Sequence, residues 1–415
     1  MTHKIFKVLI VTDWLYPKMS ANSEIAYRIA ERLQKDHGCA VCVAGIDKNE
    51  GENNSDLYDT IRLTATTNIE KWEMIEKKRD RIIQACIHPF KYKLMWLSKI
   101  KKEHYVLLDY KETLKKTLQT KDIDCVLAFG MPFESIIALS KIKSDIPYIF
   151  YKLEPWASMY YNTGNRKILE TEKECERNAA AIITTRLILN DAKSYSDIET
   201  VNKTIILEYP NIVRYTWPHK PNKFSDKAIH CVFCGSLYQN IRNPQYVLDL
   251  FREIDDNIVL HIFGRLRKGL TLTGKLSDNI IYHGNVSNEE AISYMQSADV
   301  LVNIGNTEEN LMPSKLLTYI SLGKPILNIM KTNNCPTVPY MEKYPLGLSI
   351  LETPSPRKED IEIIRKFIVN SCGSQIGFST IEKLFFDCTP KYVGDKVYKI
   401  IELVGSGVRV GKEDF

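Results

Sequence analysis

The residues best suited to chemistry lie in one stretch, Ala298-Asp-Val-Leu-Val-Asn-Ile-Gly-Asn-Thr-Glu-Glu-Asn-Leu-Met-Pro-Ser-Lys-Leu-Leu-Thr-Tyr-Ile-Ser-Leu-Gly-Lys-Pro-Ile326. An apolar strand delivers the chain to a polar loop. Pro313 stands where a first helical turn tolerates a residue without an N–H, and Gly323 followed by Pro325 stops the helix. The amides around Ser314, Lys315 and Leu316 would then open at the carboxyl edge of a parallel sheet, where an anion is favoured. A phosphate suits that chemistry, with Lys315 adding positive charge.

Those residues need two sheets to carry them. Short apolar runs alternate with amphipathic stretches, the pattern of parallel strands joined by helical crossovers, so the class is α/β. Strands are expected at Val8–Thr12, Ala40–Ala44, Cys125–Phe129, Tyr148–Leu153 and Ala181–Thr184. A helix is expected over Ser23–Lys35, which places Ile25, Ile29, Ala30 and Leu33 on one face with Ser23 and Glu24 at its positive end. Periodicity fails across Tyr209-Pro-Asn-Ile-Val-Arg-Tyr-Thr-Trp-Pro-His-Lys-Pro221, a domain boundary by composition. Strands resume at Ile229–Cys234, Ile258–Phe263, Ile280–Tyr282, Val300–Asn303 and Ile326–Ile329.

The expected division is a first domain over residues 1–212, a linker over 213–226, a second domain over 227–390 and a closing helix over 391–415 that returns to the first domain. A basic helical insertion at about 68–120 interrupts the first domain. Its segment Lys71–Leu118 sets Lys and Arg beside Trp72, Phe90, Tyr92, Trp96 and Tyr105. Such a surface can lie against anionic lipid, each basic residue contributing ~1 kcal/mol, or form a solvated helix pair on the first sheet.

The chain has 415 residues, with 44% hydrophobic and 26% charged, which excludes disordered and collagen-like classes. Lys plus Arg (56) exceed Asp plus Glu (51) by only 5, too little to call for a nucleic-acid partner. Ten cysteines lack a repeating spacing and no leader precedes Lys7-Val-Leu-Ile-Val-Thr12, so reduced thiols and a cytoplasmic setting are expected, with peripheral attachment to the inner face of the membrane. Cys231 and Cys234 fall in a strand and pack a core rather than hold a metal. No apolar run reaches the length of roughly 18 to 20 residues that crosses a bilayer.

The Pro313-Ser-Lys315 helix with Tyr319 and Gly323-Lys-Pro325 resembles the donor-binding segment of the group 1 (family 4-like) GT-B glycosyltransferases. The likeness extends to Phe233-Cys-Gly-Ser-Leu-Tyr238 with Arg242-Asn-Pro244, to Ile262-Phe-Gly264, and to His283-Gly-Asn-Val-Ser287 with Glu289. It implies two Rossmann-like parallel-sheet domains facing each other across a cleft. By resemblance, Arg242 beyond the Gly235-Ser236 loop pairs with the donor diphosphate, as a forked guanidinium can. Phe263, Gly264 and Arg265 line the nucleotide site, the backbone near Asn285 and Val286 meets the base, and Met312, Pro313, Ser314 and Lys315 complete the donor loop.

Two glutamates eight positions apart are usual in the family; Asn310 and Thr318 stand there instead. Asn310 keeps hydrogen bonds to sugar hydroxyls, whereas Thr318 cannot make a charge-assisted bond to ribose; Glu308 or Glu309 in the loop either compensates or is simply a solvated glutamate. In the first domain Asp13, Ser20 and Asn22 follow the opening strand and are expected at the acceptor, although glycine is more usual there. Glu154, after another strand, is the first candidate for a catalytic or acceptor-orienting carboxylate; an N-cap or ion pair before Pro155 is the plainer reading. Trp156 either stacks on a sugar or fills the core. The strand end Ala128-Phe-Gly-Met-Pro132 lacks the histidine that many relatives carry.

The resemblance implies a hexosyl-type transfer from a nucleotide-diphosphate sugar to a saccharide or lipid-linked saccharide in polysaccharide or glycolipid assembly, with retention of configuration. The absence of an Asp-x-Asp pair at a strand end points to no metal, and no cofactor is expected besides the co-substrate. A nucleotide-sugar epimerase or hydrolase, and a non-catalytic saccharide- or partner-binding protein, are the alternatives. If Lys71–Leu118 is a lipid-facing surface, the protein floats with anionic vesicles and stays behind with neutral ones; no flotation with either removes the membrane from the account.

Overall fold

The computed structural model describes residues 4–15, 20–46, 59–63, 107, 110–130, 133–159, 164–192, 197–216, 224, 226–254, 257–267, 269–272 and 275–414. Most of the basic insertion, Trp72, Phe90, Tyr92, Trp96 and Tyr105 included, lies outside the described residues. Two compact units emerge: Met1–Pro210 together with Pro390–Phe415, and Asn211–Thr389.

The first unit is built on seven strands: β1 (Lys7–Trp14), β2 (Ala40–Ile46), β3 (Asp59–Leu63), β4 (Cys125–Phe129), β5 (Tyr148–Lys152), β6 (Ala181–Thr184) and β7 (Thr204–Ile206). They run in the order β3-β2-β1-β4-β5-β6-β7, every pair parallel. That order reverses direction between β1 and β4, the topological switch at which doubly wound sheets receive ligands. Val8, Leu9, Ile10 and Val11 are all fully buried, because helices cover both faces of a parallel sheet and leave no polar side to alternate with.

The helix Ala21–His37 begins two residues ahead of the expected start. Ser20 is its N-cap, and Ser23 sits at the third position and closes a reciprocal capping box: the Ser20 hydroxyl accepts from the Ser23 amide at 3.0 Å and the Ser23 hydroxyl accepts from the Ser20 amide at 2.6 Å. The last long helix, Pro390–Gly405, buries Val393, Val397, Ile400, Ile401 and Val404 in the same core as Ile25, Ile29 and Leu33 of the first.

A charged cluster lies inside this unit. Lys152, at the end of β5, is 2% exposed and pairs with Glu172 and, at 2.9 Å, with Glu176, both buried on the helix Arg166–Asn178. Glu172 also accepts the Ala157 amide at 2.7 Å, which ties down the loop after β5. One ammonium between two carboxylates leaves a surplus negative charge; burial accordingly raises the Glu176 pKa.

The second unit contains β8 (Ile229–Cys234), β9 (Ile258–Phe263), β10 (Lys275–Ser277), β11 (Ile280–Gly284), β12 (Val300–Ile304), β13 (Ile326–Met330) and β14 (Gly347–Leu351). The order is β10-β11-β9-β8-β12-β13-β14, with only the β10–β11 pair antiparallel. Here the switch lies between β8 and β12. Cys231 and Cys234 are buried free thiols, as their place in a strand requires. Among the described residues no helix is long and apolar enough to cross a membrane.

Replacing only Lys152 leaves two buried carboxylates facing each other. Lys152→Met should cost about 3–5 kcal/mol in urea unfolding, and adding Glu172→Gln and Glu176→Gln should recover much of it. A single variant as stable as the parent contradicts this account of the cluster.

Candidate functional site

The loops that leave β8 and β12, the two strands flanking the switch, are stitched to each other. The Thr307 amide donates to the Ile241 carbonyl at 2.9 Å and its hydroxyl to the Asn240 carbonyl at 3.0 Å. Between them lies Arg242. Its Nε donates to Oδ1 of Asn306 at 3.0 Å, and Asn306, 2% exposed, passes its Nδ2–H to the Leu311 carbonyl at 2.7 Å. This short chain of bonds links the guanidinium to the loop that leads into Pro313.

Among the described residues no carboxylate pairs with Arg242. Burial holds its pKa below the usual arginine value, and the groups that push the other way are the hydroxyls of Tyr319 and Tyr238. A half-buried cation without a counter-ion is costly unless an anion completes it. The field of Lys315 is felt at the Cys234 thiol, and Cys234 is clamped by Tyr319, whose hydroxyl accepts the Cys234 amide at 2.8 Å. Both cations therefore gather around the carboxyl end of β8. Lys315 Nζ itself reaches Asn288 Oδ1 at 2.9 Å.

The helix after this loop runs from Leu316 to Leu322, so Pro313 precedes it rather than opening it. The Leu316 amide is not free: it donates to the Pro313 carbonyl at 3.1 Å, a tight turn before the helix. Among the described residues the amides of Ser314 and Lys315 make no hydrogen bond, and these are the open donors. The helix ends at Gly323, φ +68°, where a Cβ would come within 2.1 Å of the Ile376 carbonyl oxygen.

Gly264 also requires glycine: its φ is +137° and a Cβ would lie 2.0 Å from the Gly235 carbonyl oxygen. That contact sets the β8 and β9 loops side by side, and Arg242 Nη1 donates to the Ser236 carbonyl at 3.5 Å. Phe263 does not line the site with its ring; it is 1% exposed and stacks on His283 and Tyr294 at centroid distances of 4.3 Å. Arg265 is exposed and donates to Asn285 Oδ1 at 3.2 Å, with Val286 next in line. Met312 and Asn310 are partly exposed, whereas Thr318 is buried in its helix, which leaves it little surface to offer a ribose. Asn306, missed in the sequence, is one more asparagine in a polar loop until its burial against Arg242 is seen.

In the first unit, Asp13 is the penultimate residue of β1 and Glu154 follows β5. Asn22 Nδ2 donates to Glu154 Oε1 at 3.4 Å, Thr12 Oγ1 donates to Asp13 Oδ1 at 3.2 Å, and the Ser20 hydroxyl also bonds Asp13. These four candidate residues are thus drawn together at the carboxyl edge of the sheet. Burial raises the pKa of both carboxyls, and the Asp13 charge raises that of Glu154 further. Glu154 is bonded by Asn22 and is neither an N-cap nor part of an ion pair among the described residues. Trp156 fills the core. It is 5% exposed and its ring lies flat on Phe133 at 4.3 Å, so no face is open to a sugar.

The family model for glycosyl transferases group 1 matches residues 228–337, from the first strand of the second unit through the Pro313 loop and beyond. The second unit carries a group 1 glycosyltransferase domain. With its two Rossmann-like parallel sheets, the chain has the GT-B fold. Among solved structures the fold is similar to the lipopolysaccharide outer core galactosyltransferase WaaB in its apo form, at 12% identity and TM-score 0.56 over 95% of this chain and 99% of that one. It is similar to sucrose-phosphate synthase from Thermosynechococcus elongatus, at 11% identity and TM-score 0.60 over 97% and 100%. Anabaena Alr3699/HepE in complex with UDP matches at 12% identity and TM-score 0.54 over 97% and 99%. No curated protein sequence matches the chain.

Glu154 carries a stability test with a defined sign. A carboxyl whose folded pKa lies above its unfolded value destabilises the fold once the pH passes that unfolded value, and has no such effect below it. Glu154→Gln should therefore be more stable than the parent at pH 8, by about 1.4 kcal/mol for every tenfold by which burial weakens the acid, with the gap closing below pH of about 4. Equal unfolding midpoints at both pH values would sink the assignment of a buried, charge-penalised carboxylate.

Proposed function

We propose that the enzyme moves a hexosyl group from a nucleotide-diphosphate sugar to a saccharide acceptor. The observation that carries this reading is Arg242, a desolvated guanidinium without a carboxylate partner among the described residues, bonded through Asn306 to the loop that presents the open Ser314 and Lys315 amides. A diphosphate supplies the missing anion. As the bond from carbon one to the diphosphate oxygen breaks, negative charge grows on the leaving group, and Arg242, Lys315 and the two amides lie ready to stabilise it without a divalent metal. Asn310 and Ser236 are placed on the same loops to meet donor hydroxyls, and Arg265 with Asn285 and Val286 to meet the nucleoside.

On the acceptor side, Glu154, oriented by Asn22, orients or deprotonates the attacking hydroxyl, and Asp13 and Ser20 flank it. An oxocarbenium-like transition state attacked from the leaving-group face would retain the anomeric configuration. A lipid-linked or surface-polysaccharide precursor fits the acceptor, with the basic Lys71–Leu118 segment as support for a membrane-facing role.

One observation favours a second reading. Asp13 and Glu154 form a pair of carboxyls with raised pKa values, which a nucleotide-sugar epimerase or hydrolase could use without an acceptor. A panel of nucleotide sugars, assayed for release of nucleoside diphosphate with and without a saccharide or lipid extract, separates the two. Acceptor-dependent release is expected, and Arg242→Ala and Lys315→Ala should each weaken nucleoside diphosphate binding about ten-fold or more. Release without acceptor selects the second reading; wild-type affinity in both variants defeats the donor site itself.

A further inference from the structure

Three of the protein's eight histidines form a continuous hydrogen-bonded line across one face of the second sheet. His230 Nδ1 lies 3.0 Å from His261 Nε2, and His261 Nδ1 lies 2.9 Å from His283 Nε2. The register explains the alignment. Val232, two residues after His230, pairs with His261, and His261 pairs with Ile281, two residues before His283, so all three rings leave the same side. Phe224 stacks on His230 at 4.1 Å and Phe263 on His283 at 4.3 Å, which holds the rings in an aromatic sleeve.

The line has a direction. At its far end His230 Nε2 lies 2.8 Å from Oδ1 of Asp226, a carboxylate that the Ala228 amide, donating at 2.9 Å, holds below its usual pKa. An ionised carboxylate only accepts, so His230 Nε2 carries the proton and Nδ1 is left to accept. His261, its pKa held down at about 3 by burial and by its two imidazole neighbours, is neutral: Nε2–H donates to His230 and Nδ1 accepts from His283 Nε2–H. His283 Nδ1 is then a bare lone pair. It takes part in no hydrogen bond among the described residues, and the His283 side chain is exposed at the strand end.

Packing connects the His283 ring to the donor loops. His283 stacks on Phe263, whose successor Gly264 packs on Gly235, and Arg242 Nη1 would lie 3.4 Å from a Cβ at Gly235. His283 itself leads into Gly284-Asn285-Val286. We propose that Asp226, acting through His230 and His261, fixes His283 as the hydrogen-bond acceptor for an N–H or O–H of the donor's nucleoside. Asp226, His230 and His261 are positioning residues, and His283 is the contact. The inference rests on the second unit being the nucleotide-sugar site.

The test is nitrogen-15 NMR on the full-length protein labelled at histidine, with single His→Gln variants for assignment. At pH 8, His283 is expected as the Nε2–H tautomer with Nδ1 bare. Asp226→Asn, whose amide can donate to His230, should raise the Nδ1–H fraction of His283. On adding whichever of UDP, GDP, ADP, CDP and dTDP binds most tightly, the His283 Nδ1 resonance should move in the direction of an accepted hydrogen bond. Asp226→Asn and His283→Ala should each weaken that nucleotide about five-fold, and the double variant no more than either alone. An Nδ1–H tautomer in the parent, additive losses, or a nucleotide that depends on Arg242 yet leaves Nδ1 unmoved would overturn the relay and spare the donor site. If none of the five nucleotides binds, the donor reading fails and takes this inference with it.

Discussion

An unbalanced positive charge organises the second unit. Arg242 is half-buried, desolvated and bonded to the uncharged Asn306, and among the described residues no carboxylate pairs with it. Much of the surrounding architecture serves to hold that charge in place. Lys331 donates to the Asn243 carbonyl at 2.9 Å and pairs with Glu352, which anchors the residue next to Arg242. Thr307 ties the facing loop to Ile241, and Tyr319 secures the end of β8. A flexible lysine in water would do none of this; preorganised charge acts strongly because it needs no rearrangement when the ligand arrives.

The first unit uses the opposite sign. Its candidate group is a pair of carboxyls, Asp13 and Glu154, whose ionised forms are disfavoured by burial, that of Glu154 also by the charge on Asp13. Beneath the same loop, Lys152 is committed to Glu172 and Glu176, and Glu172 holds the Ala157 amide. The two groups differ in purpose. Lys152 settles its charges internally and fixes the backbone, whereas Asp13 and Glu154 remain unsettled, which is how titratable groups at working sites are commonly found.

Much of the fold was legible because buried parallel strands leave a plain trace. Ile229–Cys234 and Val300–Ile304 are apolar runs broken only by His230 and Asn303, and the structure places strands on both. Legibility fell where a residue's role depends on a distant partner. Trp156 could not be assigned to core or surface until Phe133, more than twenty positions away, was seen beneath it. The helix after Pro313 starts late because Leu316 spends its amide on a turn, a choice that propensity does not encode. Asn306 and the three histidines lacked any local signal, since β8, β9 and β11 bring His230, His261 and His283 together only through sheet register.

The chain crosses from one unit to the other twice, at 210 and again at 389, and the returning helix supplies Val393, Val397, Ile400, Ile401 and Val404 to the first unit's core. During synthesis the second unit is therefore the first to possess all of its own parts. The opening sheet must wait on the ribosome with a greasy groove uncovered for some 180 residues, from Asn211 to Thr389, before its last piece emerges. Chaperone demand in the cell should fall on that waiting half, and a nascent chain stalled within the second unit would expose the groove indefinitely.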